Sequence, residues 1–122
     1  MTAQTIDIRH GVRVLRCAPD GPLLDGESAA LDLIGDALGQ DAGLVAVPVE
    51  RIAGDFFRLR SGVAGAVVQK FAVYRLRLAV LGDVSAQVAR STALRDFVRE
   101  CNRGDQLWFL ADEAELDERL RG

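Results

Sequence analysis

Apolar and polar residues alternate over residues 5–9 and 12–17, with His10-Gly11 between them. That is the pattern of a two-stranded hairpin closed by a tight Gly-containing turn. Residues 17–26 hold two prolines and two glycines and form a loop into the next element. Over residues 27–38, Ala30, Leu31, Ile34, Ala37 and Leu38 recur at helical spacing, with Gly39 or Gly43 to stop the helix. Residues 44–49 are a short, almost unbroken apolar run, as expected for a strand covered on both faces of a parallel sheet; Pro48 removes one ladder donor. An irregular connection over 51–60, containing Phe56-Phe57, leads into a helix over 61–74. A strand over 75–81 follows, ended by Gly82-Asp83. Residues 85–102 are helical, in one piece or in two broken near Ser91, with Leu94, Phe97, Val98 and Cys101 toward the core. The last strand covers 106–111, and Asp112 caps a helix over 113–120.

The order is β-β-α-β-α-β-α-β-α. Strands separated by helix-length connections pair in parallel through right-handed crossovers. The pattern predicts a single α/β domain over residues 1–122: a five-stranded, mainly parallel sheet with the N-terminal hairpin strand antiparallel at one edge. If each new strand adds beside the last, every crossover helix falls on one face. The other face then needs a different cover or a partner.

Composition narrows the partners. Fifteen basic against eighteen acidic side chains give a net charge of −3, without the broad positive field that nonspecific nucleic-acid or anionic-membrane binding uses. No nucleic-acid or membrane partner is expected. The apolar runs are far shorter than the ~20 residues of a transmembrane helix, and residues 1–9 are polar and alternating rather than an export signal, so a cytoplasmic protein is expected. Cys17 and Cys101 are far apart and outside any C-x-x-C or Cys/His cluster, and His10 is the single histidine. Neither a metal nor a cofactor is expected, and His-based nucleophilic catalysis has little to work with. The helix over 61–74 is apolar around most of its circumference, with Gln69 and Lys70 as its main polar stripe. Such a helix is buried or meets a partner, and a homodimer is expected.

Two places carry candidate chemistry. Ligands of open parallel sheets bind beyond the carboxyl ends of the strands, where Glu50, Asp83, Ser85 and Asp112 stand; they form an alternative ligand site, against the plainer reading of helix caps and solvated loop residues. The second place is Ser61-Gly62, a hydroxyl at a helix start preceded by Arg58 and Arg60. Ser61 is there either a phosphoacceptor, whose phosphate would meet backbone N–H groups and guanidinium groups, or an N-cap. Asp55, Phe56, Phe57, Arg58, Arg60 and Gly62 form the associated partner- or anion-binding segment.

The blocks Phe56-Phe57-Arg58-Leu59-Arg60-Ser61-Gly62-Val63-Ala64-Gly65, Gln69-Lys70-Phe71, residues 74–83 ending in Gly82-Asp83, and residues 97–104 with Asn102-Arg103-Gly104 resemble a bacterial family described as domain of unknown function 4180. The resemblance spans nearly the whole chain; Cys101 stands where that family often has Ser. More loosely, the hairpin start and one-sided β/α succession resemble the STAS domains of anti-sigma-factor antagonists. Those carry a regulatory phosphoserine at a similar helix start, the place Ser61-Gly62 occupies. The longer connection over 49–61 and Phe56-Phe57 depart from that pattern. The resemblance implies a regulatory or protein-binding module working through residues 55–62, with another protein as partner. The alternative is a small-ligand binder or small enzyme using the carboxyl edge around Asp83 and Ser85.

Overall fold

The alternating start of the chain forms an antiparallel hairpin, β1 (Gln4–Arg9) and β2 (Val12–Cys17), in register from Gln4 opposite Cys17 to Arg9 opposite Val12. His10 and Gly11 both take positive φ, 50° and 82°, the conformation that lets a two-residue turn follow the twist of its strands. The computed structural model describes residues 4–122; residues 1–3 of the opening polar segment lie outside the described residues. After the hairpin come α1 (Glu27–Gly39), β3 (Leu44–Pro48), the short α2 (Gly54–Phe57) between two 3-10 turns, and α3 (Val63–Val73). Then follow β4 (Arg77–Leu81), α4 (Ser85–Ala89), α5 (Thr92–Arg103), β5 (Leu107–Leu110) and α6 (Glu113–Arg121).

The sheet order is β1-β2-β3-β4-β5, with only the β1–β2 pair antiparallel. Each new strand therefore adds beside the last, an order the connection lengths leave open, while the parallel pairing after the hairpin is as expected from them. No helix among the described residues is long and apolar enough to cross a membrane.

Local boundaries differ from the periodicity where side chains or turns decide. On α1 the buried stripe is Ala30, Leu33, Ile34 and Ala37, while Leu31 and Leu38 face outward. Strand β4 starts at Arg77 instead of residue 75, because Arg75 takes a left-handed φ of 57° and closes α3, its N–H donating to Ala72 O and the Leu76 N–H to Phe71 O. The helical stretch after β4 is two helices: the Ser91 hydroxyl caps α5 by accepting the Leu94 N–H at 3.1 Å.

The two faces of the sheet are covered unequally. One face presents Leu15, Val45, Val47, Leu78, Val80, Leu107 and Phe109 to α1, α3 and α5, whose Ile34, Val67, Phe71 and Leu94 complete the main core. The opposite face is smaller: Val14, Leu44, Ala46, Ala79, Trp108 and Leu110. Its cover is α6, which inserts the fully buried Leu116 with Leu120 beside it. Asp112 starts α6 by accepting the Glu115 N–H at 3.0 Å, while Glu115 accepts the Ala111 N–H, a reciprocal cap. Arg77 and Arg119 lie over the Trp108 ring at 5.3 and 4.5 Å. At the β5 edge, the Asn102 carboxamide accepts the Phe109 N–H at 2.8 Å and donates to the Phe109 carbonyl at 3.2 Å. One side chain thus takes the place of a neighbouring strand there and blunts the edge.

The expected excess of apolar surface on α3 is largely absorbed within the chain. Ala64, Val67 and Phe71 are buried, and Lys70 reaches Glu27 at 3.3 Å. Val73 and Tyr74, at the end of the helix, stay 66% and 45% exposed.

Candidate functional site

The connection from β3 to α3 is pinned to the core before it forms a surface. The almost fully buried Arg51 donates through Nε to the Pro22 carbonyl at 2.8 Å and through Nη1 to the Ala18 carbonyl at 3.3 Å. Gly21 passes so close that a Cβ there would lie 2.5 Å from the guanidinium carbon. Next along the chain, Phe56 and Phe57 turn inward. Their rings meet edge-on with centroids 5.8 Å apart, and Phe56 meets Phe109 of β5 at 6.3 Å. Phe56 is completely buried, so its expected place on a partner-binding surface is corrected: burying two adjacent aromatic rings anchors the loop instead.

That anchoring holds the rest of the loop as one wall of a cleft of about 1030 Å³. Asp55, the edge of Phe57, Arg58, Leu59, Arg60 and Ser61 line this wall. The opposite wall comes from Gln87, Arg90, Ser91 and Leu94 of the α4–α5 segment. Ser61 is not at the cap position of α3. Gly62 is, with φ 80°, a left-handed conformation that glycine adopts without the penalty other residues meet. The Ser61 hydroxyl does bond the helix start, accepting the Val63 N–H at 3.2 Å, and it donates to the Asp55 carbonyl at 2.6 Å. It closes the loop as much as it caps the helix.

The polar groups of the cleft divide into those already bonded and those not. The Ser61 and Ser91 hydroxyls are engaged as described, and Asp55 pairs with Arg58 at 2.9 Å. Among the described residues Arg60 and Arg90 form no ion pair. The Gln87 Oε1 is buried without a hydrogen-bond donor, a state that costs about 1–3 kcal/mol. Three guanidinium groups face one carboxylate, so the cleft is positive on a chain whose net charge is −3. Phe57, Leu59 and Leu94 supply apolar lining between the charges.

The residues expected at the carboxyl edge are dispersed. Asp83 accepts the Ser85 N–H at 2.8 Å, and hydrogen bonds from the Ser85 backbone and then its side chain hold the Asp83 carboxyl below its ordinary pKa. Asp112 caps α6, and Glu50 is an exposed turn residue. None of Glu50, Asp83, Ser85 and Asp112 lines the smaller cleft found at that edge, about 330 Å³, whose walls include Arg16, Pro48, Leu81 and Glu113. Among the described residues no group of three or more His, Cys, Asp or Glu is disposed to hold a metal ion. Both cysteines are free, and burial pushes each thiol above its ordinary pKa, with the Arg51 cation opposing this at Cys17.

Gln87, Arg90, Ser91 and Leu94 are the cleft residues that sequence reasoning missed. They lie some thirty positions beyond Asp55–Ser61 and meet them only because the chain crosses over through β4. Their spacing carries no motif.

The comparisons with known proteins agree with the recurring blocks. A family model described as "Domain of unknown function (DUF4180)" matches residues 9–120, nearly the whole chain. No curated protein matches. No solved structure matches, and the looser STAS resemblance is carried by none of these comparisons.

Proposed function

We propose that this chain, which belongs to the DUF4180 family, is a protein-binding module whose partner docks in the cleft between the 54–61 loop and the α4–α5 wall. The observation that carries this reading is the convergence of Asp55, Arg58, Arg60 and Ser61 on one large cleft of charge opposite to the chain as a whole. A charged, partly apolar groove on a rigid frame suits a protein surface: complementary potential speeds encounter and fixes orientation, while apolar anchors supply affinity. The small-ligand or enzyme alternative has weaker support, because its carboxylates are dispersed and already engaged in local hydrogen bonds.

Site-specific photo-crosslinking in the native host tests the reading. A photoreactive residue at position 59 in the cleft should capture one discrete partner, and the same group at position 31, on the outer side of α1, should not. Arg60→Glu should abolish the capture. Equal crosslinking from both positions would contradict the proposal. The Ser61→Asp variant in the same assay reads whether charge added beside Arg58 and Arg60 releases the partner, as a phosphorylation switch requires.

A homodimer through the end of α3 is a second reading, favoured by the exposed Val73 and Tyr74. Sedimentation of the wild type and of Val73→Asp distinguishes it: a dimer should become a monomer in the variant, and a wild-type monomer at high micromolar concentration contradicts it.

A further inference from the structure

We infer that a second site, apart from the cleft, binds a small apolar α-amino acid, whose carboxylate meets Arg51 and whose ammonium meets Asp32 and Asp36. The observation behind it is a buried cation without an anion. Arg51 is only 3% exposed, and burying a guanidinium is costly unless its charge is paired. Its Nε and Nη1 donate to the Pro22 and Ala18 carbonyls, which are neutral. Among the described residues it forms no ion pair. The nearby Cys17 thiol brings no negative charge, because burial pushes it above its ordinary pKa. Nη2 has no acceptor among the described residues and, unlike Gln87 Oε1, is not sealed from solvent.

Arg51 lines a pocket of about 260 Å³ that it shares with Asp32 and Asp36, one turn apart on α1. Neither carboxylate pairs with Arg51 or with any other cation among the described residues. Gln4 donates to Asp36 Oδ2 at 3.2 Å and steadies it. Both signs of charge thus line one pocket without meeting, and Pro22, Ala29 and Leu33 add apolar wall between them. A simple anion drawn to Arg51 meets two carboxylates, and a simple cation drawn to the carboxylates meets Arg51. A molecule with one anionic and one cationic end answers both, through charge-assisted hydrogen bonds at each. The pocket volume restricts it to a compact frame. An α-amino acid has that frame, with its side chain left over for the apolar wall.

Isothermal titration of the intact chain with the twenty standard amino acids tests this, with L-valine as the working probe. Saturable binding of compact apolar members is expected. Isovalerate, which lacks the ammonium, and isobutylamine, which lacks the carboxylate, should each bind about tenfold or more weakly. Because Arg51 also anchors the 18–22 loop, the decisive variant is Asp32→Asn with Asp36→Asn, at exposed positions of α1. It should weaken valine by about tenfold while isovalerate binds no less tightly than before, a split that a merely structural role would not produce. Amide shifts on adding valine should centre on Ala29 and Leu33. The inference is overturned if none of the twenty binds at millimolar concentration, if isovalerate matches valine, if the Asp variant binds valine as the wild type does, or if the shifts centre on the 54–61 loop. None of these outcomes bears on the cleft, whose partner is tested separately.

Discussion

Two arginine clusters in this molecule do opposite things with similar side chains. Between the hairpin and α6, Arg9 reaches Asp7 at 2.8 Å, Glu113 at 3.5 Å and Asp117 at 3.8 Å. Arg16 bonds Asp7 at 3.3 Å and Glu113, and Asp117 also meets His10 at 3.1 Å and Arg121 at 3.3 Å. Every cation there has its anion within the chain, and the result is a clasp that lays a mostly charged helix across a sheet face. In the cleft, Arg58 has Asp55 and the other two guanidinium groups have no carboxylate among the described residues. Arginine content alone does not separate these roles. What separates them is whether the countercharge is supplied from inside the chain, and on the proposed reading the unaccompanied cluster is the one that meets a partner.

Breaking the clasp should cost stability and spare the cleft. Leu116→Ala removes the fully buried side chain that docks α6 and should destabilise the fold by about 2–5 kcal/mol. Chemical denaturation measures this loss, and cleft binding by the molecules that remain folded should be unchanged. Arg16→Ala should produce a smaller loss that shrinks further at high salt, since its partners are partly exposed and screened; thermal melts at low and high salt check it.

Acid should open the same clasp first. The hydrogen bond from Arg9 holds the Asp7 carboxyl below its ordinary value of 3.8. At Asp117 burial pushes the other way, but His10 and Arg121 outweigh it and the net shift is also downward. Carboxyls depressed in the folded state contribute stability that is present above their unfolded pKa and is lost as pH falls through the lower folded values. Trp108, the single tryptophan, lies beneath Arg119 of α6, so its emission below about pH 4 should report α6 release before global unfolding.

The cleft responds differently. Ser61→Ala should lose about 1 kcal/mol because two hydrogen bonds that close the loop disappear. Ser61→Thr keeps both and should melt near wild type. Ser61→Asp should not, since a carboxylate accepts the Val63 N–H but cannot donate to the Asp55 carbonyl. Smallest of all, Arg60→Ala with Arg90→Ala should leave stability within about 0.5 kcal/mol in thermal melts, although binding is lost.

Much of this architecture is legible from hydrophobic period. Continuous runs such as 44–47 mark strands covered on both faces, and the helix-length gaps between runs force parallel pairing. The cover of the second face is less legible, because α6 touches it through Leu116 and Leu120 amid charged residues and looks like a solvated helix. Phe56-Phe57 misleads for a related reason: a loop is expected to face solvent, yet its aromatic pair is core. Half of the cleft was visible in Arg58, Arg60 and Ser61. The other half depends on a crossover that brings α4 and α5 against them, a long-range juxtaposition that no local pattern encodes.

The proposed function requires that the uncompensated positive charge of the cleft select the partner. It is tested most directly by measuring the affinities of Glu-Leu-Glu-Leu-Glu and Lys-Leu-Lys-Leu-Lys peptides for the wild type and for the Arg58→Glu, Arg60→Glu, Arg90→Glu triple variant. The wild type should prefer the acidic peptide by tenfold or more, and the folded variant should prefer the basic one. A preference that does not change with the charge of the cleft, or a wild type that binds both peptides alike, would show that this charge does not select the partner.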